Sequence, residues 1–276
     1  MTYSKIEQAK GILNPHLGAQ HFQLTRYRPT PDLRLFIERY WIIHWDLRGQ
    51  PPYLSQTLPY PCVNLVLETG RSGIFGVATG KFDRLLEGTG KVFGIKFRPG
   101  GFYPFIQSPV AAFTNASITL DSVFGPAGGK LENCVLSQHT HEDMIAAMED
   151  FLGPFMPQPD PQVTQISQLV DCISENPAIT RVADLLAHTP SSKRSLQRLF
   201  QVYVGVSPKW VIKRYRLHEA ADQLANGTVP DWAHLAVSLG YFDQAHFIKD
   251  FKTIVGQTPL EYARTVSACM PAEAAP

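Results

Sequence analysis

Cysteine is scarce in this chain of 276 residues, and its four copies lie far apart. They occur singly, with no Cys-x-x-Cys pair: Cys62, Cys134, Cys172 and Cys269. A disulfide framework or a cysteine-based zinc site needs paired or clustered cysteines. The sequence therefore predicts neither of them, and it favours a reduced, cytoplasmic protein.

Long apolar runs and a large excess of charge are missing as well. The first ten residues, MTYSKIEQAK, contain no apolar core of a signal peptide, and no later run approaches the length of a membrane span. The formal net charge is only +1, so the overall charge indicates no partner. We expect a cytoplasmic protein without a membrane partner, long enough for two domains.

Motifs for metals, cofactors and catalysis are incomplete. Residues 139–142, His-Thr-His-Glu, contain part of a cupin metal pattern, but they lie at a predicted helix start and no distant histidine completes them. Gly88, Gly90 and Gly94 miss the spacing of a dinucleotide-binding loop. The sequence predicts no metal, no cofactor and no catalytic residue, and therefore no enzyme.

One stretch of the chain is repeated at an offset of 51 residues. The first copy, SKRSLQRLFQVYVGVSPKWV, spans residues 192–211, and the second, DQAHFIKDFKTIVGQTPLEYA, spans residues 243–263. Phenylalanine, glycine and proline recur at matching places in the two copies. An internal repeat of this length indicates a duplicated supersecondary unit.

Local signals in each copy predict one helix and the start of the next. A serine or an aspartate can cap the first helix, and apolar residues follow at helical spacing. We predict helices over residues 193–202 and 244–254, which end before Gly205 and Gly256. A Ser-Pro or Thr-Pro pair starts the next helix, and residues 258–261 have the sequence of a capping box.

The polar face of both predicted helices carries side chains that can read DNA. Arginine pairs bidentately with guanine, and glutamine pairs with adenine, in the major groove. A solvated helix face is the simpler interpretation of a single copy. Two copies with matching caps and ends favour DNA binding.

Residues from about 163 to 264 resemble the DNA-binding domain of the AraC/XylS family of bacterial transcription regulators. The resemblance is most specific in the stretch LGYFDQAHF, residues 239–247, and it continues in five short matches: Phe251-Lys252, Gly256, Thr258-Pro259, Glu261 and Tyr262. It implies two helix-turn-helix units joined by a long helix. The helices over residues 193–202 and 244–254 would then enter successive major grooves.

The resemblance also implies the partners and the contact residues. Double-stranded DNA is the main partner, RNA polymerase is a further partner if the protein is an activator, and a homodimer is possible. The implied DNA contacts are Lys193, Arg194, Ser195, Gln197, Arg198, Gln244, Ala245, His246 and Lys249.

The two copies differ in their turns and in their charge. The first turn, residues 188–191, has no glycine, whereas the second contains Gly240. From residue 178 to residue 227 there are eight lysines and arginines against three acids. We therefore expect the first half of the domain to supply most of the attraction to phosphates.

Strand-like runs separated by Gly, Pro and Thr dominate the N-terminal half, at residues 40–45, 64–68, 72–77, 82–87 and 91–98. They predict a compact sandwich or barrel. The fold class is thus α+β, a β-rich domain followed by an all-α double helix-turn-helix domain. The predicted boundaries are 1–152 for the β-rich domain, 153–162 for a proline-rich linker, 163–266 for the DNA-binding domain and 267–276 for a disordered tail.

The resemblance implies that the β-rich domain, often cupin-like in this family, binds a small effector and can dimerise. Five residues could line an effector pocket, with the arginine pairing an anionic ligand: Trp41, Trp45, Phe97, Arg98 and Tyr103. Alternatively, the aromatic residues are core and Arg98 holds the turn at Pro99. A helix capped by Thr140 could form a dimer contact or cover the sheet.

The sequence leaves two other functions open. The N-terminal domain could be catalytic, with the helical domain as a DNA-targeting module. The protein could also be a regulator controlled by a protein partner instead of a small effector.

Overall fold

The computed structural model describes residues 3–6, 18–225 and 231–269. Strands occupy the N-terminal part of the chain, and helices alone make up the C-terminal part. The predicted α+β class is therefore confirmed. Within those residues no helix has both the length and the hydropathy that are needed to cross a bilayer.

Eight strands lie within the described residues. Their bounds are β1 Gln23–Tyr27, β2 Ile37–Asp46, β3 Tyr53–Thr57, β4 Asn64–Glu68, β5 Gly73–Phe75, β6 Phe82–Leu86, β7 Thr89–Phe97 and β8 Ser117–Ile118. Six of them form one antiparallel sheet in the order β1-β2-β7-β4-β5-β8, and β3 pairs with β6 in a second, two-stranded sheet.

Helices surround and follow this β-rich part. Their bounds are α1 Tyr103–Ile106, α2 Asp121–Phe124, α3 Gly128–Leu136, α4 His141–Leu152, α5 Pro161–Glu175, α6 Val182–Leu186, α7 Lys193–Tyr203, α8 Pro208–Ala225, α9 Trp232–Ser238, α10 Gln244–Val255 and α11 Pro259–Cys269. Short 3-10 helices lie at Pro31–Leu33, Val110–Phe113, Gly125–Ala127 and Gly153–Phe155.

The predicted strands are present as β2, β4, β5, β6 and β7, whereas β1, β3 and the two-residue β8 were not predicted. Strands β1 (QLTRY) and β3 (YLSQT) mix polar and apolar residues without a two-residue alternation, so periodicity alone does not mark them. Helices α2 and α3 were also missed. Neither has a side-chain cap hydrogen bond, and α3 begins with two glycines.

Helix α4 covers one face of the six-stranded sheet. The Thr140 hydroxyl accepts a hydrogen bond from the Asp143 amide at 3.1 Å, as the sequence predicts. The Glu149 carboxylate accepts hydrogen bonds from the Tyr40 hydroxyl at 3.0 Å and from the Thr30 amide at 3.1 Å. The apolar face of α4 is buried in the same cluster as the inner residues of β2 and β7. This helix therefore covers the sheet, which is one of the two roles predicted for it.

The predicted linker and tail are partly helical. The 3-10 turn Gly153–Phe155 continues α4, and α5 already begins at Pro161 with the Asp160 carboxylate as its cap. Helix α11 runs to Cys269, so the first three residues of the predicted disordered tail are helical. Residues 270–276 lie outside the described residues.

The β-rich part and the helical part pack directly against each other. The Tyr103 and Tyr203 rings lie 4.0 Å apart between centroids. The Thr114 hydroxyl donates a hydrogen bond to the Gly205 carbonyl at 2.7 Å. Leu58 and Val77, from the β-rich part, are buried in two separate hydrophobic clusters of the helical part. A displacement of these residues in the β-rich part would therefore alter their contacts with the helical part.

Candidate functional site

The first helix-turn-helix unit consists of α6, a turn and α7. The Ser192 hydroxyl accepts a hydrogen bond from the Ser195 amide at 3.2 Å and so caps α7 as predicted. Leu196 and Phe200 bury the inner face of α7 completely. Gly205 has a φ of +93°, which confirms that the chain leaves this helix through a left-handed glycine.

A threonine side chain closes the first turn in place of a glycine. The Thr189 hydroxyl accepts hydrogen bonds from the Ser191 amide at 3.3 Å and from the Gln165 side chain at 3.4 Å. In the described part of the chain only Gln107 and Asn115 combine a side chain with a positive φ. The turn thus avoids the left-handed region, and Pro190 fits it.

The second unit consists of α9, a turn and α10. The Asp243 carboxylate caps α10 by accepting from the His246 amide at 2.8 Å. Gly240 has a φ of +82°, and a methyl group added to it would lie 2.5 Å from the Thr180 Cβ. Phe247 and Phe251 are fully buried beneath α10. Glycine is therefore required in this turn both for its φ and for the close approach of Thr180.

The nine predicted DNA contacts all lie on the outer faces of α7 and α10, and every one of them is exposed: Lys193, Arg194, Ser195, Gln197, Arg198, Gln244, Ala245, His246 and Lys249. Asp250 anchors α10 through an ion pair with Lys213 of α8 at 2.6 Å. Its carboxylate also lies 3.3 Å from the His246 Nε2 atom. The structure places five of these residues on α7 and four on α10, and their role in DNA binding stays a prediction.

Two of the eight basic residues counted in the first half of this domain are buried. Arg214 is 0% exposed and Arg216 is 2% exposed. The Arg216 guanidinium donates to the Ile173 carbonyl at 2.5 Å and pairs with Glu219 at 2.9 Å. The expected excess of basic charge for phosphates is therefore smaller than the sequence count indicates. Arg214 and Arg216 are not available to phosphates because α8 is buried between the two units.

A cavity of about 580 Å³ lies between the two sheets, on the face of the six-stranded sheet that α4 does not cover. Alternate residues of β2 separate the two faces, with Tyr40 and Ile42 in the core and Trp41 and Ile43 lining the cavity. The volume falls within the range of roughly 300–1,000 Å³ that is typical of small-molecule sites.

The tryptophans in this cavity rest on glycines of the neighbouring strand. Trp41 is paired with Gly94, and Trp45 with Gly90, in the β2–β7 register. A methyl group at either glycine would overlap the paired indole ring. These glycines, which miss every nucleotide-binding spacing, thus leave room for two indoles to lie across β7.

The five residues proposed for an effector pocket do not come together, which corrects that prediction. Trp41 and Trp45 line the cavity, but Phe97, Arg98 and Tyr103 do not. Phe97 is fully buried in the opposite core. Arg98 donates to the Arg34 carbonyl at 2.7 Å, so its side chain joins the end of β7 to the segment before β2. Strand alternation places Lys96, and not its neighbour Phe97, in the cavity.

Three basic residues that sequence reasoning missed line the same end of the cavity. Arg26, Arg39 and Lys96 project from adjacent strands, since Arg39 is paired with Lys96 across β2 and β7. Glu38 lies 3.0 Å from both Arg39 and Lys96. Although burial opposes it, the charges of Lys96 and Arg39 lower the pKa of Glu38 and keep it ionised. No sequence signal identified this cluster, because it depends on the register of the strands.

The segment between β3 and β4 forms a wall that the cavity shares with the DNA-binding part. Pro59 and Tyr60 line the cavity, and the Pro59 carbonyl accepts a hydrogen bond from the buried Arg214 of α8. The Arg214 guanidinium and the Lys96 ammonium each lie 3.7 Å from the centroid of the Tyr60 ring. Tyr60 therefore links a cavity residue to the long helix through two cation–π contacts.

The histidines at the start of α4 contact other side chains of the β-rich part. The His141 Nε2 atom lies 2.9 Å from the His44 Nε2 atom, and the His141 Nδ1 atom lies 2.9 Å from the Tyr27 hydroxyl. Burial lowers the pKa of both histidines. The described part of the chain contains no cluster of three or more His, Cys, Asp or Glu side chains that could hold a metal.

Two family models each match a part of this chain. A family model described as a helix-turn-helix domain matches residues 185–265, and another, described as a domain of unknown function, matches residues 25–119. The uncharacterized HTH-type transcriptional regulator YidL of Escherichia coli K12 is 35% identical over 101 residues, or 36% of this chain and 34% of that protein. A Streptomyces lividans protein named as an AraC-like transcription regulator is 30% identical over 100 residues, or 36% of this chain and 33% of that protein.

This chain spans between 25% and 40% of the length of these and similar curated relatives. Among solved structures, ToxT from Vibrio cholerae O395 is similar over 90% of this chain and 99% of its own, with 13% identity and a TM-score of 0.36. A likeness this weak supports no argument about fold or ligand. The matched helix-turn-helix region begins in α6 and ends in α11, and so it contains both capped units. The C-terminal domain of this chain is therefore a helix-turn-helix domain, and the relatives similar to this chain include proteins named as AraC-like transcription regulators.

Proposed function

We propose that this protein is a sequence-specific DNA-binding transcription regulator that acts in the cytoplasm. The supporting observation is that all nine predicted contact residues are exposed on two capped helices whose opposite faces form buried cores. In this proposal α7 and α10 enter successive major grooves, about 34 Å apart along the duplex. Arg194, Gln197 and Arg198 read bases from α7, and Gln244, His246 and Lys249 contact DNA from α10.

The proposal includes control by a small effector in the cavity of the β-rich domain. Support comes from the shared wall, because Tyr60 contacts both Lys96 in the cavity and Arg214 in α8. A ligand changes DNA affinity only if it binds one arrangement of the two domains better than another. Since Pro59 and Tyr60 belong to both surfaces, a ligand that moves them also moves α8.

The proposed regulator is not an enzyme, and the proposal assigns it no cofactor. A homodimer, and contact with RNA polymerase if the protein activates transcription, belong to the same proposal. Control by a protein partner would replace the effector if no small molecule bound the cavity.

DNA binding can be tested by fluorescence anisotropy with duplexes from the upstream region of the protein's own gene, across a salt series, against scrambled DNA. Arg198→Ala is expected to weaken specific binding by about 1–3 kcal/mol, because a bidentate contact with guanine is lost, and to leave binding to scrambled DNA nearly unchanged. Lys130→Ala, an exposed lysine on α3, is the matched control and should change neither affinity.

Each result separates one role from another. Equal losses on specific and scrambled DNA would make Arg198 a phosphate contact. No loss on either would remove Arg198 from the interface. Failure to prefer any upstream fragment, with and without added cell extract, would reject the proposed function.

A further inference from the structure

We propose that the cavity binds an organic anion, with its charged group beside Arg26, Arg39 and Lys96 and its apolar body over the indoles of Trp41 and Trp45. This ligand class specifies the effector in the proposed function and therefore rests on it. The family models and relatives assign no ligand to this domain. Three observations support this ligand class. The cluster of basic residues has an excess of positive charge, Arg26 is unpaired, and the Trp41 and Trp45 indoles form an apolar floor.

Arg26 is a buried cation without a partner among the described residues. Only 7% of the residue is exposed, and it lines the cavity. In the part of the chain that the structure describes, its side chain makes no hydrogen bond and no ion pair. Burial, followed by the like charge of Arg39, lowers the pKa of Arg26, although an arginine remains protonated. An unpaired buried charge is costly, so an anion would stabilise this site strongly.

The surrounding side chains that the structure describes do not supply that anion. Glu38 is the carboxylate that contacts this cluster, and it is already shared between Arg39 and Lys96. Glu68, which also lines the cavity, is paired with Arg84. Burial raises the pKa of the Cys62 thiol to about 11, so the thiol is neutral. Three cations against one carboxylate leave two positive charges for a ligand to neutralise.

The other end of the cavity is apolar and planar. The indoles of Trp41 and Trp45 lie across β7 above Gly94 and Gly90. Further apolar side chains complete this end: Phe22, Leu24, Ile43, Val66, Leu86 and Val92. A ring or a chain of carbon atoms fits such a surface, and the indole faces favour a flat ring. A neutral polar ligand would fill the space but would leave Arg26 unpaired.

The test measures thermal unfolding of the full chain with a set of small organic acids, each beside its neutral amide. The set contains benzoate, 3-phenylpropanoate, indole-3-acetate and decanoate. We expect at least one acid to raise the Tm by several degrees at millimolar concentration, and its amide to raise it at least threefold less. Titration calorimetry of the best pair would then confirm one site per chain.

Arg26→Met is the decisive variant. It should abolish the shift with the acid, and it should raise the Tm of the free protein, because it removes an uncompensated buried charge. A purely structural arginine would lower that Tm when it is replaced. Arg26→Lys should retain part of the shift. Arg28→Met, at an exposed arginine just after β1, is the matched control and should bind like the wild type.

A second variant tests the floor of the cavity. Gly94→Ala places a methyl group where the Trp41 indole lies, so that ring must move into the cavity. Binding of the acid should fall at least tenfold while Arg26 is unchanged. If Gly94→Ala fails to fold, Trp41→Ala tests the same contact by removal of the indole.

Three results would overturn the inference: no acid shifts the Tm, the amides act as well as the acids, or Arg26→Met retains the shift. Anisotropy on the same samples keeps the two proposals separate. Specific DNA binding without acid binding would reject the ligand class alone. Acid binding without specific DNA binding would reject the proposed function and leave the site.

Discussion

The two helix-turn-helix units share one sequence pattern but close their turns by different means. In the first unit the Thr189 hydroxyl joins the turn to α5 through Gln165. In the second unit Gly240 turns the chain through a positive φ and approaches Thr180, which lies just before α6. The first turn is therefore held by side chains that can be replaced, and the second by a backbone shape that only glycine adopts without strain.

The same comparison extends to the glycines that end α7 and α10. Gly205 is held by a hydrogen bond from Thr114 to its carbonyl at 2.7 Å. At Gly256, a methyl group would lie 3.1 Å from the Nζ atom of Lys81, which also lines the cavity. The β-rich domain thus contacts the equivalent glycines of the two units. The contact is a hydrogen bond in the first unit and the long Lys81 side chain in the second.

Of the variants that test this comparison, Gly240→Ala should lower the free energy of unfolding most. A left-handed alanine and the overlap with Thr180 are together expected to cost about 2–4 kcal/mol of the free energy of unfolding. Urea unfolding of the full chain measures it. Gly153→Ala is the matched control, because that glycine has an ordinary φ and no atom within 4 Å of an added methyl group. A Gly240→Ala loss no greater than the control's would show that the second turn does not need glycine.

Asp250→Asn is expected to have the next largest effect. It removes the ion pair with Lys213 and the contact with His246, and the first unit has Leu199 at the equivalent place. Because the Lys213 side chain is 28% exposed, we expect a modest loss of about 1–2 kcal/mol in stability, with weaker DNA binding through α10. The exposed Asp150→Asn serves as the control, and an equal loss there would contradict the prediction.

Thr189→Ala should cost less, about 0.5–1.5 kcal/mol, because one side-chain hydroxyl and its hydrogen bonds are lost. Thr189→Ser should restore most of that loss. Chemical denaturation of both variants beside Gly240→Ala gives a direct ranking of the two turns. If Thr189→Ala were as damaging as Gly240→Ala, the two turns would be equally rigid and the proposed difference would be wrong.

The smallest expected effect is the loss of the Glu261 cap in the second unit at low pH. In the second unit, Glu261 accepts from the Thr258 amide at 2.7 Å, whereas Trp210 stands at the equivalent place in the first. The backbone hydrogen bond from Thr258 lowers the pKa of Glu261 below its ordinary value of 4.5. The cap is therefore complete above pH 4.5 and is lost as the pH falls through the lowered pKa.

Nuclear magnetic resonance can follow the Thr258 and Trp210 amides from about pH 6 to pH 3. The Thr258 resonance should titrate with a midpoint below 4.5, and Glu261→Gln should remove that titration. The Trp210 amide, which donates to the Ser207 hydroxyl at 3.2 Å, should not follow it. A common titration of both amides would mean a global acid transition instead of a local cap.

Short-range chemistry explains what could be predicted. The caps at Ser192, Asp243 and Thr258 each join groups three residues apart, so their hydrogen bonds are readable from the sequence, and all three are present. Strands β2, β4 and β7 were recognisable from their aromatic and β-branched residues. Strands β1 and β3 were not, since they mix polar and apolar residues, and Arg26, Ser55 and Thr57 face a cavity that exists only after the sheets pair.

The candidate effector site depends on long-range structure instead. Phe97 and Arg98 were chosen for their chemistry, but strand alternation puts Phe97 in the core and Lys96 in the cavity. Arg26 was not chosen, because a lone arginine in a polar segment gives no local signal. Arg26 is buried and has no ion-pair partner among the described residues, and both are properties of the folded chain.

The amino-acid sequence by itself determined the repeat, the ends of the two recognition helices and their exposed basic faces, because capping and helical periodicity act over a few residues. Only the tertiary structure decided that Arg214 and Arg216 are buried, that Thr189 can replace a glycine, and that Trp41, Lys96 and Arg26 share one cavity. These outcomes depend on strand register and domain packing, which join residues far apart in the chain.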